Sequence, residues 1–281
     1  MGLFAAMNVL IKLCEAHGAR LPKILFFRQF GASALMITLL LTGPGIASVA
    51  TQRMPAHLLR CGVGLTAMAF TFSGILALPL AESTTIGFTM PIFATILGAV
   101  LLREPTGLHR WAAVLIGFGG VLIVAQPGGG HFPLWGAGCA LAGAFLTATV
   151  SILLRQISRT ETPLTTVFWF STLSLAPLGA IYAFVGQTHP VIVWLMLGGV
   201  GLLGGVAQLA MTSALKFGPV SVVVPMDYSS LLWATAFGWV VFGVLPTRWT
   251  LLGAPIIIAS GLYIVWREHV RRVPKAIEIA Q

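Results

Sequence analysis

Residues 79–91 read Pro-Leu-Ala-Glu-Ser-Thr-Thr-Ile-Gly-Phe-Thr-Met-Pro, and residues 219–230 read Pro-Val-Ser-Val-Val-Val-Pro-Met-Asp-Tyr-Ser-Ser. Each opens on a proline, carries a second proline beside hydroxylic and aromatic residues, and is embedded in apolar sequence. The two stand 140 residues apart, and the register extends outward at an offset of 140 or 141. Pro22 meets Pro163, Gly64 meets Gly204, Gly98 meets Gly238, Thr106 meets Thr247 and Gly120 meets Gly261. A self-similarity of this period makes each half of the chain a structural unit built on the same plan.

Composition fixes the solvent of those units. The 281 residues are 57% hydrophobic and only 8% charged, with 16 Lys+Arg and 7 Asp+Glu, and the mean hydropathy is +0.96. A soluble domain carries roughly a quarter of its residues charged, so the excess apolar surface must face lipid. The net charge of +9 does not signal nucleic acid, because the basic residues are scattered singly and form no stripe with interleaved aromatics. Cys14, Cys61 and Cys139 lack any CxxC spacing and read as small buried residues. The first apolar run has no basic leader and no small-residue cleavage site, so it is expected to be a retained membrane helix.

A helix crosses the roughly 30 Å hydrocarbon layer in about 20 residues. Ten apolar runs meet that description, at 1–16, 22–42, 57–77, 83–102, 108–126, 133–154, 163–186, 190–213, 219–244 and 247–267. The first is short. Connections of a few turn-forming residues make the helices antiparallel neighbours. The expected fold is therefore an all-α membrane protein of ten transmembrane helices in two five-helix repeats, residues 1–130 and 131–270, followed by a cytoplasmic tail at 271–281. Five is odd, so the second repeat enters the membrane from the opposite side and the two are inverted. Two inverted halves can rock about a mid-membrane site, which is the machinery of alternating access.

Basic residues mark the cytoplasmic side of short loops. With the N-terminus inside, Arg53, Arg60, Arg103, Arg110, Arg155, Arg159, Lys216, Arg267, Arg271, Arg272 and Lys275 fall on that side. Only Lys12, Arg20, Lys23, Arg28 and Arg248 fall on the other, with Lys12 and Arg28 expected inside helices. Both termini are thus expected to be cytoplasmic, with Lys12 reaching for the interface; Arg28 is expected to do the same or to tether a loop carbonyl, with attraction of an anionic group or a bond to a neighbouring helix as the alternative.

An ionisable group in hydrocarbon is expensive, so each one inside a helix is a functional candidate. The one aspartate, Asp227, lies about two turns into the ninth run and just after Pro225, whose ring frees a backbone carbonyl and lets the helix bend. Its repeat counterpart is Ile86 or Gly87, so the acid breaks the internal symmetry and suits a substrate ammonium or a proton. The competing reading is a structural pair with Lys12, Arg28 or Lys216. Polar and aromatic side chains at helical spacing add Asn8, Phe70, Thr85, Phe88, Ser151, Gln208 and Tyr228 as candidate substrate contacts, with Pro91 and Pro225 as candidate bends. Serine and threonine can instead bond to their own helix. Glu82 and Glu104 bound the fourth run, and Glu104 beside Arg103 reads as an interfacial pair. All six histidines fall in loops or at helix ends, and HExxH, GxSxG and GxxxxGK[ST] are absent. No cofactor and no metal is expected.

Taken together, Leu25-Phe26-Phe27-Arg28, Leu78-Pro79-Leu80-Ala81-Glu82 running into Pro91, Leu101-Leu102-Arg103-Glu104, and Pro225-Met226-Asp227-Tyr228 with Gly261-Leu262-Tyr263 resemble the EamA family of the drug/metabolite transporter superfamily. The resemblance covers essentially the whole chain. It implies a ten-helix secondary transporter of the bacterial inner membrane with a cavity lined by helices 1, 3, 4, 6, 8 and 9. The expected partners are a small-molecule substrate and the lipid bilayer, with a monomer as one open state. Relatives within the family export aromatic and apolar amino acids, or move riboflavin, S-adenosylmethionine or nucleosides. The aromatic and hydroxylic cavity candidates with one acid favour amino-acid export as the expectation, with those other metabolites as the alternative. A passive channel or a non-transporting membrane subunit is a more distant one.

Overall fold

The computed structural model describes residues 1–101, 108–126, 133–184, 188–217 and 226–279. Among them every regular element is helical. The α-helices are α1 (Gly2–Ala16), α2 (Leu21–Thr42), α3 (Met54–Ala77), α4 (Leu80–Gly87), α5 (Met90–Leu101), α6 (Leu108–Ala125), α7 (Leu134–Ile157), α8 (Pro163–Phe184), α9 (Val191–Phe217), α10 (Ser229–Phe242) and α11 (Arg248–Ile279). A 3₁₀ turn, Ile46–Val49, sits between α2 and α3.

Seven segments are long and apolar enough to span a bilayer, with α4 and α5 counted together as Leu80–Val100. The apolar parts of α6 and α10, Trp111–Ala125 and Ser229–Phe242, are shorter, and α1 has 15 residues. Helices fall on the expected runs with shifted ends, but the fourth run is split between α4 and α5, and of the ninth run, 219–244, only residues from 226 onward are described. Prolines set several starts: α2 and α3 each have one in the first turn, and α8 begins on Pro163, where the missing N–H costs nothing. The expected tail at 271–281 is helical through Ile279 as the continuation of α11. Pro225, Arg103 and Glu104 lie outside the described residues.

The fourth crossing is not one helix. Phe88 and Thr89 form a turn between α4 and α5, because Pro91 has no N–H to give to the carbonyl four residues back. The turn is tied by Thr89 N and Thr89 Oγ1, which both donate to Ile86 O at 3.0 and 2.8 Å. The expected bend at Pro91 is thus a break one residue before the proline's own helix begins.

Glycines decide which helices touch. A methyl group on Gly31 would stand 2.6 Å from Gly201 Cα, so α2 and α9 meet backbone to backbone. Gly143 against Thr71 and Gly74 against Ala140 bring α3 onto α7, while Gly120 and Gly253 do the same for α6 and α11. Each of these contacts joins an element before residue 130 to one after it. The main apolar core collects Ile11, Ile24, Phe72 and Leu197 from α1, α2, α3 and α9, and a second core around Ile86, Val124 and Ile257 joins α4, α6 and α11.

Candidate functional site

The helix break presents Phe88 to Tyr228, which stands at the N-terminal end of α10. The two rings meet edge to face, centroids 4.8 Å apart. Gly261 on α11 makes room for this pair: a methyl group there would lie 2.1 Å from Tyr228 Oη and 3.8 Å from Pro91. Tyr228 Oη and Asp227 Oδ1 are both buried without a hydrogen-bond partner among the described residues. A kinked crossing, an aromatic pair, an unpaired carboxylate oxygen and an unpaired phenol therefore share one locality. Polar atoms left this way favour a ligand or water that completes them.

The other expected contacts divide. Gln208 on α9 accepts a 3.1 Å hydrogen bond from Arg28 Nη2. Asn8 is half-buried on α1, next to Met7, whose sulfur approaches Gly204 of α9. Thr85 is fully buried, but its hydroxyl goes to Ala81 O at 2.7 Å, and that of Ser151 goes to Thr147 O at 3.0 Å. Both bond to their own helices. Phe70 is 39% exposed on α3 and joins no ring pair. Only Phe88 and Tyr228, next to Asp227, are brought into direct contact as a group.

Four charged residues turn inward. Arg28 does not reach for the interface but bonds to a neighbouring helix; it is 4% exposed, donates to Gln29 and to Gln208 of α9, and faces the Phe170 ring. Arg60, counted as a cytoplasmic loop charge, lies inside α3 at 2% exposure with its guanidinium 3.7 Å from the centroid of Phe170. Lys12 turns inward and donates to Leu78 O at 2.5 Å. Glu82, read as a boundary residue, is fully buried; its Oε1 accepts from Thr247 N and Thr250 Oγ1, both at 3.0 Å, and so caps α11 from α4. Lys12 and Glu82 are on the wall of a cavity of about 430 Å³ at this end of the bundle, which Gly238, Phe242 and Val244 also line. Hydropathy reads a charge near a helix end as a boundary or loop charge, which is why Arg60 and Glu82 were missed; for Arg28 the signal was its place in Phe26-Phe27-Arg28-Gln29-Phe30.

The opposite end is held by Glu161, which accepts from Thr51 Oγ1 at 2.6 Å and faces His57 Nε2 at 3.9 Å, while its carbonyl takes Lys216 Nζ at 2.9 Å. His57 is buried three residues into α3, deeper than a loop histidine. Trp169 serves packing, its Nε1 donating to Val49 O at 2.8 Å. No group of three metal-ligating side chains exists among the described residues.

Comparison with known proteins names the machinery. A family model described as the EamA-like transporter family matches the chain twice, over residues 2–126 and 134–266. The chain is 32% identical over 248 residues to a riboflavin transporter of Vibrio cholerae, covering 84% of this chain and 80% of that protein. A riboflavin transporter of Rhizobium johnstonii is 29% identical over 276 residues, 97% of this chain and 90% of its own. An S-adenosylmethionine uptake transporter of Rickettsia bellii is 24% identical over 249 residues, 88% and 84% of the two chains. A protein of known crystal structure shares the fold, with a TM-score of 0.63 at 22% identity over 94% of this chain and 95% of that one. With both halves matched by one model, the chain belongs to the EamA-like transporter family of multi-pass membrane transporters.

Proposed function

We propose that the protein is a secondary transporter of the bacterial inner membrane that takes up a flat heterocyclic metabolite of the riboflavin class. Two inverted five-helix halves, residues 1–130 and 131–270, would alternate access to a site between them, with both termini cytoplasmic. The observation that carries the substrate is the match along most of the chain to riboflavin transporters from two organisms. The edge-to-face pair of Phe88 and Tyr228 at the helix break, next to polar atoms that lack partners among the described residues, supports an aromatic ligand there. The paired family match supports the two halves, and the break before Pro91 supports a crossing that can flex.

Amino-acid export rested on the same aromatic and hydroxylic face, but the relatives above are named for riboflavin and S-adenosylmethionine, so the weight moves to those metabolites. S-adenosylmethionine uptake is the second reading. It is favoured by the Asp227 carboxylate oxygen, buried without a partner near two aromatic rings, which suits a cationic sulfonium or ammonium.

Accumulation of labelled riboflavin by cells expressing the chain, against cells carrying an empty vector, tests the proposal. Saturable accumulation competed by unlabelled riboflavin and not by tryptophan or phenylalanine is expected. Accumulation competed by amino acids alone would return the protein to the amino-acid reading.

A further inference from the structure

Arg28 on α2 and Arg60 on α3 point their heads at one ring, with guanidinium carbons 5.9 and 3.7 Å from the centroid of Phe170 on α8. Both are more than nine-tenths buried. Arg28 uses Nη1 on Gln29 and Nη2 on Gln208, which leaves its Nε buried without a partner. Arg60 makes no hydrogen bond among the described residues, and its Nε and Nη1 are buried and unpaired. Nor does a carboxylate neutralise either head: neither Arg28 nor Arg60 forms an ion pair among the described residues.

The placement is not that of arginines reaching for water. Nη1 of Arg60 comes to 3.4 Å from where a methyl group on Gly64 would stand, one turn deeper into α3 and against the usual lean of helical side chains toward the N-terminus. A methyl group on Gly204 would likewise stand 3.2 Å from Arg28 Nε. Gly64 and Gly204 are partners in the internal repeat, so each half sets a glycine against a guanidinium, Gly64 also packing against the Phe170 ring and Gly204 against the Met7 sulfur. A ring face offsets only part of the cost of removing an arginine from water, and two such heads around one ring repel each other. An oxyanion meets what is missing, because the guanidinium fork matches a carboxylate or a phosphate with paired N–H donors.

We propose that Arg28 and Arg60, converging on Phe170, form an oxyanion-recognition site that takes the carboxylate or phosphate of a ring-bearing substrate, with Phe170 as a stacking face. This rests on the transporter reading and narrows its substrate. Neutral riboflavin would leave both arginines uncompensated, whereas a phosphorylated flavin or the carboxylate of S-adenosylmethionine would engage them.

The test measures binding to the purified full-length chain for two matched pairs: riboflavin and riboflavin 5′-phosphate, and decarboxylated and intact S-adenosylmethionine. The member of one pair that carries the added oxyanionic group, phosphate or carboxylate, is expected to bind about tenfold more tightly than its partner. Arg60→Gln and Arg28→Gln should each lower that preference to less than about threefold, with the same member losing more. The flavin pair identifies phosphate as the source and the other pair identifies carboxylate. If Arg60→Gln does not fold, Arg60→Lys, which keeps the charge and loses the fork, should still cut the preference about threefold at an unchanged melting temperature. Equal binding within both pairs, or variants that weaken both members alike, overturns the proposal. Riboflavin transport without any oxyanion preference would keep the riboflavin reading and remove this one; preference confined to the S-adenosylmethionine pair would do the reverse. If none of the four binds, thermal protection by phenyl phosphate or benzoate that disappears in Arg60→Gln supports the site, and no protection overturns it.

Discussion

Glu82 is the residue on which two elements depend at once. From α4 it accepts both the Thr247 amide and the Thr250 hydroxyl at the start of α11, where the two threonine hydroxyls also meet each other at 2.9 Å. Glu82→Ala should therefore destabilise the protein by roughly 1–3 kcal/mol, while Glu82→Gln, which keeps an acceptor oxygen, should lose less. Thermal unfolding in detergent measures both, and an Ala variant as stable as the parent would remove the cap from the account. At this scale the sequence is only partly legible. Asp227, Tyr228 and Phe88 could be singled out because their neighbours, Pro225 and Pro91, advertise irregular backbone. Thr85 and Ser151 could not be sorted from cavity residues, since a hydroxyl at the same helical position can turn to its own carbonyl or to a ligand. The inward turn of Arg28, Arg60 and Lys12 was also hidden, because it depends on Phe170 and on Leu78 O, which come from other helices.

Among the elements, the break between α4 and α5 is the one the proposed transport cycle relies on. Pro91 denies the carbonyl of Gly87 its helical partner, and Phe88 and Thr89 form the turn instead. Pro91→Ala restores an N–H there and should favour one continuous helix, moving Phe88 away from Tyr228. The expected outcome is an exchange rate lower by roughly tenfold with no loss of thermal stability. Transport at the parental rate in this variant would show that the break is incidental. This element was readable from the chain alone as a bend, since proline chemistry is local. Its position at Phe88–Thr89 was not, because the side-chain bond from Thr89 to Ile86 O closes the preceding turn. Helix ends elsewhere moved by a few residues for the same reason: capping and packing partners, such as Glu82 for α11, lie far away in sequence.

At the scale of the molecule, prolines and glycines recur at spaced positions along the sequence, and glycines, Gly120 among them, stand where elements before residue 130 meet elements after it. The loop around Thr51, the turn at Glu161 and Lys216 of α9 gather at one end, whereas Lys12, Glu82 and Thr247 gather at another site joining different helix ends. Basic-residue counting assigns the first of these to the cytoplasm. In a background with Cys14, Cys61 and Cys139 replaced by alanine, Thr188→Cys should react with an impermeant thiol reagent in intact cells, and Gln52→Cys only after permeabilisation. The reverse pattern would turn the protein over in the membrane. The central claim, carriage of a flat heterocycle by this bundle, is tested most directly by counterflow in proteoliposomes loaded with unlabelled riboflavin and exposed to labelled riboflavin. The account predicts saturable transient accumulation that is absent from empty liposomes. Labelled riboflavin that stays outside while labelled tryptophan or phenylalanine exchanges in the same folded preparation would contradict it.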